Sequence, residues 1–152
     1  MKVALAADHG GYKLKDKLIE HLNSKGIETV DFGTNSDSSC DYPDYADKVC
    51  HAITSGECEL GILVCSTGIG MSIAANKHPG IRAACCSDLL SVSLTRSHNN
   101  SNVLCLGAFI VAERLACEMA DIFVSTPFSG EERHVRRVSK LIELDKYLDK
   151  SK

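Results

Sequence analysis

Short apolar runs along the chain alternate with longer stretches whose apolar residues return at helical intervals. Residues 3–6 form the first run, residues 12–25 the first helical stretch and residues 27–30 a second run, with Gly26 marking the helix stop. The same alternation predicts helices at about 45–55, 69–76, 88–97 and 111–124, and strands at 60–64, 81–85 and 103–106. A last stretch, 129–148, opens with Ser129 and Glu132 at capping-box spacing. It then sets Val135, Val138, Leu141, Ile142 and Asp145 at helical intervals, which predicts a long terminal helix. Part of that apolar stripe is available to a second subunit.

Strands this apolar, separated by helices, belong to a parallel sheet covered on both faces. The expected fold is therefore α/β: a Rossmann-like three-layer sandwich with a five-stranded parallel sheet and an extended C-terminal helix. In such sheets ligands sit outside the carboxyl ends of the strands, where the strand order reverses. The loops after strands one, three, four and five carry the functional expectation.

At 152 residues the chain fits one domain, residues 1–152, with no stretch that reads as a linker. A net charge of −3 argues against nucleic acid or an anionic membrane as partner, so any basic site must be local. The N-terminus enters the first apolar run without a charged leader, and no run approaches the roughly 20 apolar residues of a membrane helix. A cytoplasmic protein is expected. Eight cysteines would suggest disulfides in a secreted chain; without a signal peptide most of them read as small buried hydrophobes. No C-x-x-C pair or Cys/His cluster with zinc spacing is present, so neither a metal nor a cofactor is expected.

The third strand leads into Cys65-Ser66-Thr67-Gly68-Ile69-Gly70-Met71-Ser72, where two glycines and small hydroxyl residues open a helix. Such a turn lets backbone N–H groups face an anion, and the helix start adds partial positive charge that favours the thiolate form of a cysteine at its mouth. Taken alone, Cys65 is equally well a buried thiol at a strand end. A cysteine phosphatase needs an arginine six residues after its nucleophile, where this chain has Met71. A dinucleotide fingerprint would need a glycine at Ile73, and no Walker lysine follows Gly70. The first strand ends in Asp8-His9-Gly10-Gly11, either a helix cap and a solvated histidine or a charged pair opening on the same crevice as Cys65. His98 and Asn99 are placed just after the fourth helix, where a histidine is commonly present for the helix dipole alone. Arg133 and Arg137 share a helical face and are spaced to clamp a phosphate, or else they pair with Glu131 and Glu132.

Taken in order, these motifs resemble the type B ribose-5-phosphate isomerases, the family that also includes the galactose-6-phosphate isomerase subunits. The resemblance runs through Asp8-His9-Gly10-Gly11, Asp41-Tyr42-Pro43, Cys65 to Gly70, Ala74 to Lys77, Gly80 to Ala83, Arg96 to Asn99, and Arg133-His134 with Arg137. It implies a homodimer with shared sites, sometimes paired into tetramers, that interconverts ribose 5-phosphate and ribulose 5-phosphate without metal. Cys65 would be the base, moving a proton between C2 and C1 through an enediolate. Gly68, Gly70 and Ser72 would lend backbone donors, with Ser66 and Ile69 lining the same turn, and Thr67 would assist exchange between the two substrate oxygens. His98, from the partner subunit, would open the sugar ring with Asp8 helping and Asn99 holding a hydroxyl. Tyr42 would line the sugar, and His9, Arg133 and Arg137 would bind the phosphate.

One departure stands out. Many members carry an arginine shortly after the fifth strand, where this chain has Gly107-Ala108-Phe109. Losing a bidentate donor costs about 1.5–3 kcal/mol, so weaker phosphate dependence and tolerance of longer or unphosphorylated aldoses are expected. The alternatives are a hexose-phosphate or free-aldose isomerase on the same scaffold, and a non-catalytic α/β domain that binds a phosphorylated ligand.

Overall fold

A computed structural model describes residues 1–148; the expected unit, 1–152, includes four residues outside the described ones. The chain runs β1 (Lys2–Ala7), α1 (Tyr12–Ser24), β2 (Glu28–Asp31), α2 (Tyr42–Thr54), β3 (Leu60–Cys65), α3 (Ile69–Ala75), β4 (Ala83–Cys85), α4 (Leu89–Asn99), β5 (Val103–Gly107), α5 (Glu113–Ser125) and α6 (Glu132–Leu144). A short 3₁₀ turn, Asp145–Tyr147, follows α6. All pairings are parallel and the strand order is β2-β1-β3-β5-β4, so the chain reverses its winding between β1 and β3.

Strand periodicity explains the two apolar layers. Val3, Leu5, Leu60, Ile62, Val64, Leu104 and Leu106 point to one face, where they pack on α1, α4 and α5. Ala4, Ala6, Leu63, Cys65, Val103 and Cys105 point to the other, covered by α2 and α3. Cys65 thus stands on the α2/α3 side, and the central strands are buried along their whole length, as the apolar runs require.

Several element boundaries differ from those expected. Helix α2 starts at Tyr42 rather than near 45, because Pro43 is tolerated in a first turn whose N–H groups have no intrahelical partner. Helix α4 runs on to Asn99 and closes on Asn100 in the left-handed region (φ 48°), so His98 and Asn99 lie in its last turn and do not follow it. Asp8 does not cap α1, whose N-cap is Gly11.

The capping box expected from Ser129 and Glu132 is absent. Glu131 is the N-cap of α6, and the Ser129 hydroxyl instead lies 2.7 Å from His134 Nδ1 and receives the Glu131 N–H. The terminal helix also stops at Leu144, short of the expected 148. On it only His134 and Val138 are buried, while Val135, Leu141 and Ile142 remain exposed.

Candidate active site

The loops after β1, β3 and β5 meet at the carboxyl end of the sheet, beside the reversal in strand order. Asp8 N–H donates to Val64 O at 3.1 Å, and the N–H groups of Ala108 and Phe109 donate to Cys65 O (2.8 Å) and Ser66 O (3.0 Å). The approach is close enough to exclude side chains: a Cβ on Gly10 would stand 2.4 Å from Ser66 Oγ. The loops that carry Asp8-His9 and Cys65 are therefore joined through the backbone itself.

Cys65 is 5% exposed and its Sγ accepts the Gly68 N–H at 3.1 Å. Gly68 reaches that position with φ 78°, in the left-handed region, as the N-cap of α3. Ser72 N–H donates to Gly68 O as the first intrahelical bond. Ahead of it, the Ile69 N–H is 3.4 Å from Thr67 Oγ1, and Gly70 and Met71 supply the free N–H groups of a helix start. Tyr42 lies over this turn: a Cβ on Gly70 would stand 3.0 Å from its ring. Asp8 is buried and accepts the Gly10 N–H at 2.9 Å. His9 is exposed, and its Nδ1 accepts the Cys40 N–H at 3.3 Å, which leaves Nε2 as the donor of a neutral ring. Phe109, 77% exposed, shares a cleft of about 770 Å³ with His9, Gly10 and Lys13.

Several of the other thiols are buried among apolar side chains. Burial pushes Cys50 up to about 12, with Asp47 adding to the effect, and Cys86 up to about 11; Cys105, fully enclosed, is raised well above the ordinary thiol range by burial and its neighbouring thiols. All eight cysteines are free. Cys85 is an exception to the expected burial: it is exposed, with Sγ 3.7 Å from Thr67 O.

His98, Asn99, Arg133 and Arg137 form a second group, away from the first. Helix α4 begins at the carboxyl end of the sheet and runs back for 11 residues, about 16 Å. Its last turn, with His98, therefore lies at the opposite end of the strands from Cys65. There the His98 and His134 rings stack with centroids 4.1 Å apart. His134 is held below its ordinary value by burial first and by His98 second; Glu131 opposes the shift and Arg133 and Arg137 add to it. Arg133 Nε pairs with Glu131 Oε2 at 2.9 Å, the alternative that its spacing had left open, whereas Arg137 is exposed and makes no ion pair among the described residues.

Sequence reasoning missed Cys40 as the partner of His9 and His134 as the partner of His98. The first contact spans 31 residues, and no local pattern announces it. His134 was visible only as a neighbour of the arginines. The search for cysteine-based metal patterns also passed over Asp47, His51 and His78, whose ligand atoms lie within 4.8 Å of one another away from the thiol turn.

A buried thiol, a carboxylate and an imidazole stand at the strand ends of a doubly wound α/β fold, beside the reversal in strand order where such folds take their ligands. Comparison with known proteins makes the class specific. Residues 3–141 match the Ribose/Galactose Isomerase family model, and the chain belongs to that family. It is 42% identical to ribose-5-phosphate isomerase B of Escherichia coli, over 95% of this chain and 96% of that protein. The solved ribose-5-phosphate isomerase B of Clostridium thermocellum superposes with a TM-score of 0.94 at 46% identity, covering 97% of this chain and 99% of that one. The Mycoplasma genitalium enzyme, solved with bound ribulose-5-phosphate, gives 0.90 at 39% identity, covering 95% and 96%.

Proposed function

We propose that this isomerase interconverts ribose 5-phosphate and ribulose 5-phosphate by proton transfer at Cys65. The observation that carries the reading is the Cys65 Sγ accepting the Gly68 N–H at 3.1 Å, at the strand end hydrogen-bonded to the loop of Asp8 and His9. A backbone donor aimed at the sulfur stabilises negative charge there, which a base requires. The thiolate takes the proton from C2 of the open-chain aldose and returns it to C1. The enediolate oxygens meet the N–H groups of Gly70 and Met71, since those of Gly68 and Ser72 are engaged by Cys65 Sγ and Gly68 O, and the Thr67 hydroxyl passes a proton between O1 and O2. Ser66 and Ile69 complete the wall of that turn, and Tyr42 closes over the sugar.

Ring opening and phosphate binding need a second subunit. His98 lies at the wrong end of its own sheet, so His98 of the partner subunit, with its Asn99, Arg133 and Arg137, completes the crevice next to Asp8 and His9. The working unit is a homodimer with two shared sites, and each chain contributes one sugar-phosphate isomerase domain. The exposed stripe of Val135, Leu141 and Ile142 on α6 suits such an interface. No helix among the described residues is long and apolar enough to cross a membrane, which accords with a cytoplasmic enzyme acting on a phosphorylated metabolite.

The test is to incubate the protein with ribose 5-phosphate in the presence of a chelator and follow ketose formation, alongside Cys65→Ala. Turnover is expected for the wild type and a fall of about 10²–10⁴-fold for the variant. An inert wild type would sink the substrate assignment, and an equally active variant would sink the base.

A further inference from the structure

On the α2/α3 side of the sheet, Asp47, His51 and His78 bring two imidazoles and a carboxylate together. We propose that these three side chains bind a first-row transition dication of the zinc class, as a clamp between α2 and the segment after α3. Asp47 and His51 are four residues apart on α2 and so share a face, and His78 comes from the turn that follows α3. One ligand atom of each lies within 4.8 Å of the other two. Asp47 Oδ1 is the centre of the group, 2.7 Å from His78 Nε2 and 3.3 Å from His51 Nδ1.

The contacts of His78 show which ring nitrogen it has to offer a cation. Its Nδ1 faces Ala74 O at 3.3 Å while Nε2 faces the Asp47 carboxylate. A neutral imidazole carries a single N–H, so it cannot donate to both oxygens. Without an ion, an Nε2–H satisfies the Asp47 carboxylate; with the proton on Nδ1, facing Ala74 O, Nε2 ligates a cation that it shares with Asp47. His51 Nδ1 lies 3.0 Å from Asp47 O and 3.3 Å from Asp47 Oδ1, so it ligates once it gives up the carbonyl contact. The ligands of one tetrahedral zinc lie about 3.3 Å apart, given bonds of about 2.0–2.1 Å. The His51 contact already has that spacing, and the His78 contact has to open by about 0.6 Å.

The nearby cation does not compete, because Lys48 Nζ is held over the Tyr45 ring at 4.6 Å. Two imidazoles and one carboxylate suit zinc, nickel or copper over magnesium or calcium, with solvent completing the coordination. From Tyr42 to His51 is nine residues of helix, about 14 Å, so the bound ion takes no part in the chemistry at Cys65. It joins the two elements that carry Tyr42 and the thiol turn.

Chelator-treated protein is titrated with Co²⁺ and then with Zn²⁺, followed by visible absorption and by the thermal midpoint. One saturable equivalent per chain is expected, with d–d bands but no thiolate charge-transfer band, and a Zn²⁺-dependent rise in the midpoint. His51→Ala and His78→Ala should each weaken binding by at least about tenfold, while Cys65→Ala leaves it unchanged. Unsaturable binding, a thiolate band, or binding that survives in the double histidine variant would overturn the site. Far-ultraviolet circular dichroism and metal-free isomerase activity of the histidine variants, both expected at the wild-type level, keep this outcome separate from any failure of the isomerase assignment.

Discussion

At the scale of single residues, the thiol turn works through backbone geometry as much as through sulfur. Gly68 holds φ 78°, and a Cβ there would stand 2.9 Å from the carbonyl carbon of Leu106. Gly68→Ala is therefore expected to cost more than about 1 kcal/mol of stability, read by denaturant unfolding, and to remove most of the activity while Cys65 is intact. Phe109 makes a sharper case, since it shares the cleft of His9 and Lys13. Phe109→Arg should raise kcat/KM on the phosphorylated sugar about tenfold or more and leave the free sugar unchanged; equal effects on both would remove the idea of weakened phosphate dependence. The thiol turn was legible in the sequence because its residues are contiguous and its glycines have local causes. The anchoring of His9 by the Cys40 N–H was not, because it depends on where a distant loop comes to rest.

At the scale of elements, α4 and α6 decide where the second group of functional residues stands. Asp88 caps α4 by accepting the Ser91 N–H at 2.8 Å, and that hydrogen bond, with the Ser91 hydroxyl first, holds its carboxyl below the usual range. Asp88→Ala is expected to lower stability, measured as a shift of the denaturation midpoint to lower denaturant at unchanged slope. His134 sets a pH dependence whose direction follows from its burial. Its folded value lies below the ordinary 6.5, so the unfolded chain binds the proton more tightly. Stability then falls as pH drops from about 6.5 toward the folded value and is fully present above that window. His134→Asn should flatten the profile of thermal midpoint against pH. The sequence placed α4 correctly but ended it two residues early, because Asn100 closes a helix only if the chain adopts the left-handed conformation there. It also offered a capping box at Ser129, whose hydroxyl is engaged by His134 instead; one side chain has two possible local partners, and tertiary packing chose between them.

For the whole molecule, the alternation of apolar runs and helical stretches was enough to anticipate a parallel sheet with two covered faces, since both follow from periodicity. Strand order was beyond it, whereas the separation of His98 from Cys65 follows from α4 running back along the sheet. That separation leads to a mixing experiment. Cys65→Ala and His98→Ala proteins, each impaired alone, should regain about a quarter of wild-type activity when their subunits are exchanged, because half of the random dimers are mixed and each of those has one intact site. No recovery on exchange would place both residues in a site built by one chain alone. The strand order has another consequence, for what the protein avoids. The outermost strands, β2 and β4, are only four and three residues long, and β2 carries Glu28 and Asp31 on its exposed border. Such edges offer little template for another chain to extend the sheet. A dimer of the proposed kind would therefore form through helical surfaces, where it closes into a finite assembly instead of growing into a fibre.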